Sequence, residues 1–280
     1  MTKIKVVTDS TVDLNKEIIQ KYEIHVLPLQ INLEGKTYLD REDITPTEFI
    51  EKMKTADELP KSSQPSLGSF IKLYNELTSD GSEVISIHLS SGLSGTVRTA
   101  ETAAKQCNGK VTVVDSLYIS KGLAFQVIEA ATMAKKGHSM AEIIDRLNVV
   151  RKSTRLFVVV DTLENLMKGG RIGKAKALIG SLLNIKPIAT LEEGVYSPIA
   201  NARSHGQVVK QLVKHLVEDT NGKIIKGIGI THADGKDLAI RLKEKILELY
   251  ENLEILIEDT TPIISTHTGP GAIGFMYYAE

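Results

Sequence analysis

The sequence has one cysteine, almost no net charge and no long hydrophobic run. Cys107 has no second cysteine to pair with, so no internal disulfide can form and a reducing compartment is expected. The 34 basic and 35 acidic residues leave a formal charge of -1, which provides no overall field to attract a nucleic acid or an anionic membrane surface. No segment approaches the roughly 18 apolar residues of a membrane span, and the apolar run near the N-terminus is too short for a signal peptide. We therefore expect a cytoplasmic protein with no nucleic-acid partner and no integral membrane segment.

Three common site patterns are also missing from the sequence. The seven histidines, at positions 25, 88, 138, 205, 215, 232 and 267, show no metal-ligand spacing, so no metal site is expected. A P-loop ending at Gly173 and Lys174 would need glycine at position 168, where Lys168 stands, and Ser or Thr at 175, where Ala175 stands. The segment STHTGPGAIG has the G-x-G-x-x-G form, but too few residues follow it for the helix and the acidic residue of a dinucleotide site. No cofactor is expected on this chain.

A length of 280 residues, with 42% hydrophobic and 25% charged residues, favours two ordinary globular domains. In the first half, short β-branched segments alternate with segments whose apolar residues have helical spacing, which predicts a parallel sheet covered by helices. The β-branched segments are 4–8, 84–88 and 111–114, and the helical segments are 67–77, 96–107, 123–135 and 140–150. From Leu156 onward hairpin and helix signals are mixed, and they predict an α+β domain with a mixed, partly antiparallel sheet. We place the domains at 1–155 and 156–280.

Three strands of the first half end in small polar residues. The segments VVTDST, IHLSSGLSGT and VVDS each place hydroxyl or carboxylate side chains directly after a β-branched run. Since ligands in an open parallel sheet bind beyond the carboxyl ends of the strands, we expect these ends to line one crevice. For Asp9 and Asp115, capping of the next helix explains the residues equally well.

The segment SSGLSGT is richer in hydroxyl groups than a helix cap requires. Ser90, Ser91, Ser94 and Thr96 are crowded around two glycines, whereas one cap needs one hydroxyl. Glycines let backbone N–H groups approach a ligand, and a helix that begins near Thr96 would direct its positive end at it. Hydroxyl and amide groups without a nearby lysine favour a small, weakly charged anion such as a carboxylate.

Two other segments offer candidate ligand contacts. In SSQPS we expect Ser66 to cap the following helix, which leaves Ser62 and Ser63 unexplained. His267 stands between two threonines beside a glycine-rich turn, where a ligand could come close.

The basic residues around KGGRI fit either a solvated turn or a site for a phosphate of another molecule, which Arg171 and Arg203 would bind. A serine hydrolase with Ser94 as nucleophile and His267 as base is a second hypothesis. However, GLSGT lacks the last glycine of a nucleophile elbow, and no orienting acid stands out.

Taken in order, the segments VVTDSTVDL, SSQPS, SSGLSGT, VVDS, KGGRI and THTGPGAIG resemble the DegV family, the fatty-acid-binding proteins of bacterial fatty acid kinase. The resemblance runs from residue 4 nearly to the end. It implies two α/β-type domains with a long-chain fatty acid between them. The function it implies is presentation of the acid to a separate kinase subunit, which holds ATP and Mg and forms an acyl phosphate for phospholipid synthesis.

The resemblance also implies roles for individual residues. Ser62, Ser94 and His267 would bind the carboxylate, and Arg171 and Arg203 would serve phosphoryl transfer or the contact with the kinase. The supporting residues would be Ser63, Gly95, Thr96, Thr268 and Gly269. The first residue of SSQPS is often threonine in the family, so Ser62 keeps the hydroxyl and loses a methyl group, which could alter the acyl preference.

Overall fold

The computed structural model describes residues 3–178 and 185–280. The strands of these ranges are β1 (Ile4–Asp9), β2 (Ile24–Leu27), β3 (Gln30–Leu33), β4 (Lys36–Leu39), β5 (Lys61–Ser63), β6 (Glu83–His88), β7 (Val111–Asp115), β8 (Thr154–Val159), β9 (Lys186–Glu192), β10 (Val195–Ala202), β11 (Ile225–Ala233), β12 (Ile257–Asp259) and β13 (Ala272–Ala279). The helices are α1 (Lys16–Tyr22), α2 (Pro46–Thr55), α3 (Leu67–Thr78), α4 (Thr96–Gln106), α5 (Ser120–Lys135), α6 (Met140–Ser153), α7 (Glu164–Lys168), α8 (His205–Thr220), α9 (Lys236–Leu247) and α10 (Pro262–Thr268), and a 3₁₀ helix spans Gly173–Leu178.

The first half contains the predicted parallel sheet, with strand order β2-β1-β6-β7 and every neighbouring pair parallel. Helices α3 and α4 pack on one face through Phe70, Tyr74 and Ala100, and α5 and α6 pack on the other. Local signals set the helix starts. Ser66 caps α3 by accepting from Ser69 N, and Ser139 forms a capping box with Glu142 at the start of α6. Both faces of the sheet are therefore covered, as parallel sheets require.

The second half forms a mixed six-stranded sheet in the order β10-β9-β8-β13-β11-β12. The β11–β12 pair is parallel and the other neighbouring pairs are antiparallel, so the predicted mixed sheet is confirmed. Helices α8 and α9 cover one face. Glu193 and Gly194 both have positive φ, 49° and 80°, at the turn between β9 and β10, which is the backbone of a tight hairpin.

A third, three-stranded sheet of order β4-β3-β5 belongs to the first half in sequence but packs against the second half. Ile31, Phe49 and Met53 share one hydrophobic core with Leu156 and Ile263. The sequence carries no sign of this packing. The boundary near residue 155 stays a prediction, although β8, the first strand of the six-stranded sheet along the chain, begins at Thr154.

Two buried carboxylates of the first half bind the start of α10. Asp13 accepts hydrogen bonds from Thr261 N at 3.1 Å and Thr260 Oγ1 at 2.8 Å, and Asp40 Oδ1 accepts from Ile263 N at 3.4 Å. Burial raises the pKa of Asp40 to about 7, and its Oδ2 has no partner among the described residues. The loops that follow β1 and β4 therefore fix the position of α10.

Replacement of Asp40 by asparagine tests this burial. The pKa of Asp40 rises from 3.8 to about 7 on folding, so the folded state binds this proton more tightly than the unfolded chain. The free energy of unfolding should therefore fall as the pH rises through that interval. We expect the melting temperature of the wild type to fall relative to that of Asp40→Asn between pH 4 and pH 8. The control is Asp145→Asn, at an exposed position of α6, whose melting temperature should change with pH in parallel with that of the wild type. If the melting temperature of Asp40→Asn also changed in parallel with that of the wild type, the raised pKa assigned to Asp40 would be contradicted.

Candidate functional site

A cavity of about 360 Å³ lies between the two halves, beyond the carboxyl ends of β1 and β6. Its wall is mainly apolar, with side chains from both halves: Leu29, Leu89, Ile119, Val158, Leu166 and Leu191. Of the three strand ends expected to line one crevice, those of β1 and β6 do so through Thr11 and Ser94, whereas Asp115 and Ser116 after β7 do not. The second half supplies much of the wall, so the cavity is built by both halves rather than by the parallel sheet alone.

Ser62, Ser94 and His267, the three residues that the resemblance assigns to the carboxylate, all line this cavity. Ser62 Oγ lies 2.7 Å from His267 Nε2, so a residue of β5 and a residue of α10 form a direct hydrogen bond. Ser94 Oγ lies 2.9 Å from Thr96 Oγ1, in the loop that leads into α4. Three neutral hydroxyl or imidazole groups thus line a cavity whose remaining wall is mostly hydrocarbon.

The imidazole of His267 is neutral at physiological pH. Burial and, as the smaller cause, the positive charge of Arg171 together lower its pKa to about 4. Its Nδ1 is buried without a partner among the described residues. One ring nitrogen carries a proton and the other can accept one, so the ring can serve a ligand as donor or acceptor without adding charge.

Arg171 lines the same cavity and is held by both halves. Its Nε donates to Leu93 O at 2.9 Å and its Nη1 donates to Gly169 O at 2.7 Å. Gly169 must be glycine here, because a Cβ would collide with His267 Nδ1. The guanidinium therefore brings a fixed positive charge close to the Ser62–His267 pair.

Arg203, expected to serve phosphoryl transfer or the contact with the kinase, does not line the cavity. It follows β10, is exposed, and uses its backbone N to donate to Gln207 Oε1 at 2.7 Å. Its side chain is therefore available to solvent and not to the cavity.

The supporting residues shape the loops around the site. Ser63 and Thr268 line the cavity. Gly95 precedes α4, where a Cβ would collide with the side chain of Gln64, and Thr96 is buried at the first position of that helix. Gly269 ends α10 with φ of 73°, a conformation that favours glycine.

Asp9 and Asp115 have neither of the roles that the sequence left open. Asp9 is buried and accepts from Thr11 N at 3.1 Å and Leu89 N at 2.9 Å, while Asp115 accepts from Leu117 N at 2.9 Å. Neither lines the cavity or caps a helix. Both carboxylates stabilise turns that follow strands. Asp9 thereby fixes the positions of Thr11 and Leu89, whose side chains line the cavity.

Sequence reasoning missed Tyr196, which lines the cavity from β10. Its hydroxyl is buried without a partner among the described residues, and burial raises the pKa of the phenol. The residue carries no signal in the sequence that separates it from an ordinary core tyrosine. It offers the cavity one more neutral hydroxyl.

The serine hydrolase hypothesis is not supported. His267 Nε2 contacts Ser62 rather than Ser94, and no described carboxylate contacts His267 Nδ1. A chain of the serine–histidine–aspartate type does exist among Ser86, His88 and Asp9, with distances of 2.7 and 3.0 Å. Those side chains are fully buried, so they stabilise the sheet and cannot reach a substrate.

The remaining sequence patterns have structural explanations. The basic KGGRI segment joins α7 to the 3₁₀ helix, and the glycines of GPGAIG lead into β13 instead of a helix. Within 3–178 and 185–280, no group of three or more His, Cys, Asp or Glu side chains could hold a metal ion. In those same ranges no helix has the length and hydrophobicity to cross a membrane.

Comparison with known proteins agrees with this architecture. The profile of the DegV family, described as a family of uncharacterised proteins, matches residues 3–280. The chain belongs to the DegV family. A DegV domain-containing protein of Staphylococcus aureus (strain N315) is 46% identical over 276 residues, covering 99% of each chain. One of Listeria monocytogenes is 44% identical over 281 residues, covering 100% of each.

Two solved DegV structures have the same fold over the whole chain. One describes the fatty acid binding of a DegV family protein from Thermus thermophilus. It matches with a TM-score of 0.92 and 36% identity, covering 100% of each chain. DegV of Bacillus subtilis, a fatty acid binding protein, matches with a TM-score of 0.92 and 34% identity, again over 100% of each chain.

The pKa of His267 in this DegV protein can be measured by NMR titration of ¹⁵N-labelled histidine. We expect a neutral ring down to about pH 4 and an increase of the pKa when a carboxylate ligand binds, because a nearby negative charge stabilises the imidazolium. Arg171→Ala should raise the pKa in the free protein, while Arg203→Ala, which removes an exposed cation outside the cavity wall, should not. A protonated ring at pH 6 in the free protein would contradict the assignment.

Proposed function

We propose that this protein binds a long-chain fatty acid, with the tail in the apolar cavity and the carboxylate at Ser62, Ser94 and His267. The observation that carries the proposal is the Ser62–His267 hydrogen bond of 2.7 Å at the wall of a cavity that is otherwise mostly hydrocarbon. The fatty acid binding of the Thermus and Bacillus relatives supports it.

The two parts of the ligand have different energetic roles. Each buried CH₂ of the tail contributes about 0.8 kcal/mol, so the tail supplies most of the affinity. The carboxylate loses its hydration when it enters, and hydrogen bonds from neutral groups to a charged acceptor, about 1.5–3 kcal/mol each, offset that loss. The hydroxyls therefore fix the orientation of the acid more than they increase its affinity.

We further propose that the bound acid is the substrate of a separate ATP-dependent kinase, which supplies ATP and Mg. A carboxylate oxygen attacks the γ-phosphorus, the bond from that phosphorus to the bridging oxygen breaks, and ADP leaves with the electron pair, giving an acyl phosphate. The fixed guanidinium of Arg171 beside Ser62 and His267 supports a role in this step. The exposure of Arg203 fits a contact with the kinase.

Ligand binding can be tested with native mass spectrometry and with calorimetry on delipidated protein. We expect bound fatty acid in protein purified from a bacterial host, and an affinity for oleate that falls about tenfold or more in Ser94→Ala because one charge-assisted hydrogen bond is lost. Ser91→Ala is the matched control, since Ser91 is an exposed serine of the same loop that does not line the cavity. No uptake of oleate, or equal losses in the two variants, would refute the proposal.

The kinase step can be separated from binding with Arg203→Ala. Because Arg203 lies outside the cavity wall, we expect this variant to bind oleate as the wild type does and to form acyl phosphate severalfold more slowly in a reconstituted kinase assay. Arg241→Ala, at an exposed position of α9, serves as the control. Loss of oleate binding in Arg203→Ala would show that the separation of roles is wrong.

A further inference from the structure

A second groove meets the cavity at the Ser62–His267 pair. It has a volume of about 550 Å³ and is lined by the segment from Asp57 to Ser62 and by residues of α7 and α10. Ser62, Arg171 and His267 line both the groove and the cavity. These three side chains therefore form a wall with one space on each side.

The two sides of this wall differ in chemistry. The inner cavity has mostly aliphatic neighbours, whereas the outer groove has the charged side chains of Lys61, Lys168, Asp57 and Glu58. A phosphate monoanion or dianion loses far too much hydration to enter a hydrocarbon cavity. When a carboxylate at the wall carries a phosphoryl group, that group must therefore lie on the outer side.

Two lysines of the groove are placed to bind phosphoryl oxygens. Lys61 is exposed and directly precedes Ser62 on β5. Lys168 is the last residue of α7, and its Nζ lies 2.6 Å from Glu164 Oε1 in an exposed ion pair. Since an exposed pair of this kind contributes little to stability, Lys168 can leave Glu164 for a phosphate at small cost.

We infer that this outer groove binds the phosphate group of the acyl phosphate, with Lys168 and Lys61 as its cations. The inference rests on the proposed function and adds the position of the phosphorylated headgroup. Asp57 and Glu58 line the same groove, so their negative charges oppose the lysines and keep the affinity for phosphate modest. A modest affinity suits a product that must leave for the next reaction.

The test uses a stable analogue, a long-chain 2-oxoalkylphosphonate, in which a CH₂ group replaces the bridging oxygen of the acyl phosphate. We expect Lys168→Ala to weaken phosphonate binding about fivefold to tenfold and to leave the affinity for the fatty acid of equal chain length unchanged. The matched control is Lys174→Ala. Lys174 forms an equally exposed ion pair with Glu192, also at 2.6 Å, but does not line the groove. Asp57→Asn should tighten phosphonate binding.

The outcomes separate the inference from the proposed function. If the wild type binds fatty acid but binds no phosphonate, or if Lys168→Ala and Lys174→Ala weaken phosphonate binding equally, the groove assignment is overturned and fatty acid binding stands. If the wild type binds neither ligand, both are overturned. A loss confined to Lys168→Ala and to the phosphonate supports the inference.

Discussion

The neutral hydrogen bond between Ser62 and His267 is the constraint on which the rest of the site depends. It links a strand of the first half to a helix of the second half across 205 positions of sequence. An imidazole in this position can remain uncharged because burial and Arg171 both disfavour its protonation. A charged ring would instead require a buried counter-ion, and no described carboxylate contacts its free Nδ1. The headgroup site is therefore polar and donor-rich, and among the described residues that line the cavity Arg171 carries the one formal charge.

The position of His267 is set by residues far from it. The short helix α10 begins at backbone N–H groups that donate to Asp13 and Asp40, two carboxylates of the first half. Lys121 adds to the same contact between the halves, since its Nζ donates to Asp13 O and pairs with Glu258. Buried carboxylates are costly to desolvate, and these two are tolerated because they satisfy amides that would otherwise be unpaired. The two halves are thus joined by buried polar bonds as well as by the shared hydrophobic core.

Much of the fold could be predicted from local patterns in the sequence. Helix α4 begins at Thr96 and Ser66 caps α3, both as expected, and the change in pattern after residue 155 corresponds to a change of sheet. These features are local, because the spacing of apolar residues and the capping residues determine them.

The parts that the sequence did not show are those that depend on long-range packing. Apolar side chains at 29–53 carry no sign of which core they join, and Asp13 and Asp40 look in the sequence like any surface acid. The convergence of Ser62, Ser94 and His267 followed from the family resemblance, because no spacing rule connects positions so far apart. Arg203, which the same resemblance assigns to phosphoryl transfer or to the contact with the kinase, lies outside the cavity wall, and its role stays a prediction.

The proposed phosphoryl transfer needs the carboxylate to act as a nucleophile, and binding by neutral groups suits that role. A bidentate salt bridge would hold the acid more tightly, but it would draw charge from the oxygen that attacks phosphorus and would have to be broken as the new bond forms. Hydroxyl and imidazole groups orient the same oxygen at a smaller cost to its reactivity. In the proposed transfer, Arg171, whose Nε and Nη1 already donate to carbonyls of both halves, would supply a fixed positive potential beside the carboxylate, where negative charge is redistributed. The apolar tail then supplies the affinity that the weak headgroup contacts do not provide. Tight binding and a reactive carboxylate are therefore compatible in one site.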